Sequence, residues 1–155
     1  MNITEFIKFI QDIVEKSNTL KNKYTDEINA PVNYCCIFSQ STIEFENLVL
    51  LASKIWTILE ETTTGPIFKI EPIKTKSWEL KILKIRKHDK EHPEIWDADF
   101  TVSNYPSFKD KYLEKKEFTL IERQWFEMIE LMEKDAPVRC YFSFPTLLEK
   151  YKISP

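Results

Sequence analysis

Apolar residues recur at helical spacing from the start of the chain. Ile3, Phe6, Ile7, Ile10, Ile13 and Val14 fall on one face and Glu5, Lys8, Asp12 and Glu15 on the other, the pattern of an amphipathic helix. The polar stretch Lys16 to Asn29 follows. Pro31 then marks entry into extended chain, because the residue before a proline avoids the helical region. Residues 1–30 are therefore expected to form a helix and linker appended to a single domain over 31–155. The helix stripe has to be covered, either by the domain's own sheet or by a second subunit.

Beyond the linker the period changes. Val32 to Phe38 is a run of aromatic and β-branched residues that reads as a buried strand. Ser41 with Glu44 three residues on is a capping-box pattern, and Phe45, Leu48, Val49, Ala52, Ile55, Trp56 and Leu59 keep helical spacing behind it. Leu50, Leu51 and Ile58 widen that face, so a largely buried helix is expected, ending at Thr62 to Pro66 around the chain's single glycine. Strands follow at about Ile67 to Ile73 and Trp78 to Arg86. The charged stretch Lys87 to Trp96 is the expected loop between halves.

The second half repeats the order. Asp97 to Val102 alternates strictly, with Ala98, Phe100 and Val102 on one face and Asp97, Asp99 and Thr101 on the other. Pro106 suits the first turn of a short helix carrying Phe108, Tyr112 and Leu113. Three strands follow, at Phe118 to Arg123, Phe126 to Met132 and Val138 to Phe144. The last two would be joined as a hairpin without a glycine, and a second capping box, Thr146 with Glu149, opens a final helix. The class is α+β, with two modules at about 31–87 and 97–144.

Paired strand-helix-strand-strand-strand units over Val32 to Phe144 resemble the glyoxalase and vicinal-oxygen-chelate superfamily. The stretch from Met128 to Glu130 through the acidic turn to Val138 and Tyr141 looks like the closing hairpin of such a module. The resemblance implies curved sheets that surround a small ligand. Metal-dependent members place His and Glu on the first and last strands of a module. Here the first strand offers Asn33, Tyr34, Cys35 and Cys36 and the closing strand Arg139, Cys140 and Tyr141, so the metal site is not carried over and no cofactor is expected. The structural competitor is a ferredoxin-like α+β sheet.

Composition narrows the function classes. With 155 residues, 43% apolar and including eleven Phe and four Trp, the chain has material for one well-filled core. A net charge of -3 argues against a general polyanion binder, so nucleic acid is not the expected partner. The local basic run Lys74, Lys76, Lys81, Lys84, Arg86, Lys87 and Lys90 is of the kind that ordinarily faces water. Three cysteines, two of them adjacent (Cys35 and Cys36), do not make a disulfide framework; they point to a reducing, cytoplasmic setting and to buried small hydrophobes. No apolar run reaches the roughly 18 residues of a membrane span, and charges interrupt the amino-terminal segment where a signal peptide would be apolar.

The candidate chemistry is sparse. His88 and His92 are four apart in a polar loop, a spacing for metal ligands only on a helix, which Pro93 disfavours. Asp97 and Asp99 share a strand face roughly 7 Å apart; facing a pocket they would make an acid and base pair, and facing water they aid solubility. Lys84 and Arg86 on a neighbouring strand would instead give a salt-bridged surface. Glu127 and Glu130 fall on opposite strand faces, and a buried one needs Arg123 or Arg139 as its cation. Trp78, Trp96, Trp125, Tyr141, Phe142 and Phe144 are core packing or the lining of an apolar pocket, with Arg139 holding an anion by a bidentate pair. Two functions are carried forward. One is a non-metal small-molecule binder whose aromatic cleft holds Asp97, Asp99, Arg139, Tyr141, Trp78 and Trp125. The other is an interaction protein or homodimer using the amino-terminal helix and a sheet edge. No motif names a reaction.

Overall fold

The computed structural model describes residues 1–91 and 94–155. Asn2 caps a long first helix, α1 (Ile3–Tyr24), by accepting the Glu5 N–H while the Glu5 carboxylate accepts the Asn2 N–H. Then come β1 (Val32–Phe38), α2 (Thr42–Ser53), β2 (Thr57–Thr62), β3 (Gly65–Thr75) and β4 (Trp78–Arg86). The same order returns as β5 (Trp96–Phe100), α3 (Tyr105–Tyr112), β6 (Phe118–Glu122), β7 (Glu127–Leu131) and β8 (Val138–Phe144), and α4 (Leu147–Lys150) closes the chain.

The eight strands form one mixed sheet in the order β2-β3-β4-β1-β5-β8-β7-β6. Within each module the first and last strands are parallel, β1 with β4 and β5 with β8, and the modules meet where β1 runs antiparallel to β5. This is the paired-module α+β topology, with each half the approximate two-fold image of the other across the β1–β5 seam. The sheet is not the ferredoxin-like alternative. β1 is buried at every position because it lies at the seam with both faces covered.

α1 lies on the same face as α2 and α3. Phe6, Ile10, Ile13 and Val14 join Cys35, Ile37, Ala98, Phe100, Phe142 and the α3 aromatics in one cluster. Phe6 lies 5.7 Å from the Trp56 ring and Phe9 5.7 Å from Trp96. Of the two covers considered for the stripe, the chain's own sheet is the one that forms, so the helix is part of the core. It also runs through Lys16–Tyr24, which reads as polar linker in the sequence. There Ser17, Leu20 and Lys21 continue the buried face. Lys21 is fully buried, and its ammonium donates to Asn22 Oδ1 and to the carbonyls of Glu27 and Ile28, tying the turn before β1 to the helix.

The region 54–62 corrects the sequence reading. α2 stops at Ser53, and the segment expected to prolong it becomes β2, an edge strand paired with β3. The helical spacing of Ile55, Trp56 and Leu59 is overridden by that pairing and by β-branched Thr57, Ile58 and Thr62. Nor is α2 largely buried: only Leu48 and Ala52 are, while Ile43 and Leu50 are exposed. Its Ser41 cap accepts the Glu44 N–H as expected, but Glu44 reaches Gln40 N–H instead of closing the box. The β7–β8 connection does form a hairpin, with Asp135 at φ 63° taking the left-handed position a glycine would fill.

Gly65 opens β3 at φ 133°, and a Cβ there would lie 2.1 Å from the Ile85 carbonyl oxygen. Gly65→Ala is therefore expected to lower the urea midpoint or prevent folding, whereas Phe6→Ala should cost about 3–5 kcal/mol through the cavity it leaves. Equilibrium unfolding in urea checks both. A Phe6→Ala cost below about 1 kcal/mol would mean that α1 is not part of the core.

Candidate functional site

The helices leave the opposite sheet face to the carboxyl-terminal segment. Leu147, Leu148, Tyr151 and Ile153 pack on Tyr34, Ile67 and Ile82, covering part of it. Lys150 Nζ donates to Glu60 at 2.7 Å, and Lys81 Nζ donates to the Ser154 and Pro155 carbonyls. Beside this cover remains a cavity of about 610 Å³. Its floor is Tyr34, Cys36, Phe38, Asp97, Tyr141 and Ser143. Lys84, Arg86, Ile67 and Glu60 form the wall toward β2, and Arg123, Trp125, Phe126 and Met128 the opposite one.

Alternation along β5 explains the acidic part of the floor. Ala98 and Phe100 enter the helix-side core, which turns Asp97 and Asp99 to the cavity side, and both carboxylates are buried. They do not face water, nor do they act alike. Asp99 Oδ1 accepts from Asn33 Nδ2 at 2.8 Å, and Oδ2 accepts from Ser143 Oγ. A bulge between Val32 and Tyr34 sets the extra residue Asn33 beside Asp99, and Asn33 Oδ1 accepts the Leu148 N–H at 3.1 Å. Asp99 thus ties the seam to α4. Burial pushes its carboxyl up to about 6, against the lowering effect of these hydrogen bonds.

Asp97 has no such tie. It is 3% exposed, lines the cavity, and its Oδ1 has no hydrogen-bond partner among the described residues. Burial, with Asp99 and Glu94 nearby, holds its pKa well above the carboxylate range, and Arg86 and Lys84 offset part of this. A neutral carboxyl here can both donate and accept a hydrogen bond.

The two partly buried cations of the cavity come from β4. Lys84 pairs with Cys36 and Arg86 with Phe38 across the parallel β1 ladder, so both side chains share the cavity face. These two members of the basic run are partly buried, a departure from the water-facing strand expected. β1 separates them from Asp97, and no ion pair joins the strands among the described residues, so the salt-bridged surface does not form either. Lys84 makes no hydrogen bond or ion pair among the described residues, and burial lowers its pKa. Arg86 lies 4.7 Å over the Phe38 ring and 3.9 Å from the Asp89 carboxylate, and its Nε is buried without a hydrogen-bond partner among the described residues.

Of the other residues singled out in the sequence, Tyr141 lines the floor and donates to Glu130 at 2.6 Å. Trp125 stands at the rim and is 81% exposed. Arg139 is not a cavity cation. Its guanidinium is 2.8 Å from Glu130 and 3.4 Å from Glu94, and it supplies the counterion for partly buried Glu130 and buried Glu94. Trp78 is away from the cavity at the β3–β4 turn, at φ 72° and 67% exposed, its indole donating to the Asn29 carbonyl. Cys35 and Cys140 lie in the helix-side core and Cys36 in the cavity floor, all three buried and free. The pairing of His88 with His92 is not described, because His92 lies outside the described residues. No group of three or more His, Cys, Asp or Glu is gathered around a common point among the described residues.

Tyr34, Cys36, Phe38, Lys84 and Arg86 were missed as a set in the sequence. Their shared parity along β1 and β4 was visible, but their meeting with Asp97 depends on β1 lying between β4 and β5.

No family model matches the chain. No curated protein matches it either. A solved structure described as "Structural Genomics, Protein EC4020" is similar in fold, with a TM-score of 0.72, covering 99% of this chain and 93% of that one at 12% sequence identity. At that identity the likeness shows the fold alone.

The Asp99 environment sets a pH dependence. Its folded pKa of about 6 exceeds the ordinary 3.8, so the folded state holds the proton more tightly. The stability this gives is complete below about pH 4 and is lost as pH rises through about 6. Asp99→Asn removes the titration, so the variant should gain on the wild type by on the order of 3 kcal/mol between pH 4 and 7. Urea unfolding across that range measures the difference. A constant difference would show that Asp99 does not titrate there.

Proposed function

We propose that this protein binds a small organic molecule, without a metal, in the cavity between the two modules. The observation that carries the reading is Asp97, a buried carboxyl facing a 610 Å³ cavity with one oxygen unpartnered among the described residues. Leaving a buried polar atom without a partner costs about 1–3 kcal/mol, a cost that a bound ligand offsets. The volume is within the usual range for small-molecule sites, and Tyr34, Phe38, Ile67, Phe126 and Met128 give it the apolar lining such sites have. Trp125 at the rim supplies a flat surface that a ligand covers on entry. The resemblance to the glyoxalase superfamily belongs to the same proposal, since paired modules of that kind enclose small ligands with a curved sheet.

A panel of naphthols, phenols and aromatic acids tests this by thermal shift and tryptophan emission. At least one compound should raise the melting temperature with a logarithmic dependence on its concentration, stabilising the fold by about 2.7 kcal/mol at a hundredfold excess over Kd. It should also change the Trp125 emission, a change absent in Trp125→Phe, and Met128→Trp, which crowds the mouth, should abolish the shift. A panel in which no compound shifts the wild type, or a shift that survives Met128→Trp unchanged, would sink the proposal.

A further inference from the structure

We infer that the ligand of this cavity is a small aromatic carboxylate bearing a hydroxyl group, its carboxylate held by Lys84 and Arg86 and its hydroxyl by Asp97. The inference rests on the binding reading above and adds the chemistry of the ligand.

Apart from the exposed Arg123, the cations around the cavity fall into two groups. Arg139, just beyond the floor, is closed by Glu130 and Glu94, and Lys150 on the covering segment is closed by Glu60. At those positions the chain supplies its own acid. Lys84 has no acid in ion-pair contact among the described residues, Asp97 and Glu60 acting on it only at longer range, and Arg86 has Asp89 only at 3.9 Å, with Nε unpartnered among those residues. A cation partly withdrawn from water without an anion in contact is unfavourable, and a bound anion relieves it. The two positive side chains are neighbours on one strand face, a step of roughly 7 Å apart along β4, so one carboxylate between them reaches both.

Asp97 is not the missing anion. It lies in the same row as Lys84, but the ladder runs Lys84, Cys36, Asp97, so β1 stands between them. Two strand spacings make roughly 10 Å between the backbones. A ligand that satisfies both ends lies over Cys36, with its anion toward β4 and a hydrogen-bonding group toward β5. A benzene ring between the two groups spans that gap and rests against Phe38 and Tyr34, both in the floor. The hydroxyl both donates and accepts, which suits a carboxyl held neutral in its buried site.

Isothermal titration of the full chain with 4-hydroxyphenylacetate, phenylacetate and p-cresol separates these contributions. 4-Hydroxyphenylacetate should bind about tenfold or more tightly than p-cresol, which lacks only the carboxylate, and also more tightly than phenylacetate, which lacks only the hydroxyl. Lys84→Met should cut the preference over p-cresol severalfold, with Arg86 keeping the remainder, and Lys84→Arg should restore it. Asp97→Val, which leaves no hydrogen-bonding group at the position, should weaken 4-hydroxyphenylacetate by more than it weakens phenylacetate. If p-cresol binds as tightly as the acids in the wild type, the cations do not hold the ligand and this inference falls while the binding reading stands. If none of the three binds but an uncharged naphthol does, the ligand class is wrong in the same way. If nothing binds, both fall together.

Discussion

The antiparallel pairing of β1 with β5 is the constraint on which the rest depends. It joins two modules into one sheet and fixes which side chains look which way. Cys35 opposite Ala98 faces the helices, and Cys36 opposite Asp97 faces the cavity. Side-chain direction alternates at every residue, so a one-residue slip would carry the aspartates into the helix-side core and the apolar set into the cavity. The bulge at Asn33 is the one place where the ladder departs from regularity, and it turns that departure into a contact with Asp99 and Leu148.

The two faces are covered by different means. α1 supplies Phe6, Ile10, Ile13 and Val14 to one face, and without it the seam strands would present their apolar side to water. On the other face the short carboxyl-terminal segment covers only part of the sheet, and it is held by polar contacts at Glu60, Asn33 and Lys81 as well as by Leu148. The uncovered remainder carries buried Asp97 and partly buried Lys84 and Arg86. A sheet face filled with leucine there would be more stable, and the presence of Asp97, Lys84 and Arg86 instead is what supports the proposed binding role.

Much of the fold was legible in the chain. β1, β4 and β8 have the bounds their composition suggests, and the repeated element order was enough to give paired modules. What was lost lay where tertiary contacts override local pattern. α1 runs past its apolar stripe because Lys21 buries its ammonium among carbonyls, which no periodicity records. β2 looked helical because an edge strand with half-exposed residues lacks clean alternation. The site was half legible. Asp97, Tyr141 and Trp125 reach the cavity by strand parity and loop position. Arg139 was a reasonable choice on charge, yet Glu94 and Glu130 close it, and the two partly buried cations of the cavity, Lys84 and Arg86, come from two strands away from Asp97, a relation set by strand order alone.

The most direct measurement is a crystal structure of the protein grown with 4-hydroxyphenylacetate. Ligand density lying over Cys36, its carboxylate within hydrogen-bond distance of Lys84 and Arg86 and its hydroxyl on Asp97, would establish the cavity as the working site of the molecule. An empty or collapsed cavity at saturating ligand, with Asp97 and Lys84 satisfied by side chains of the protein itself, would contradict it.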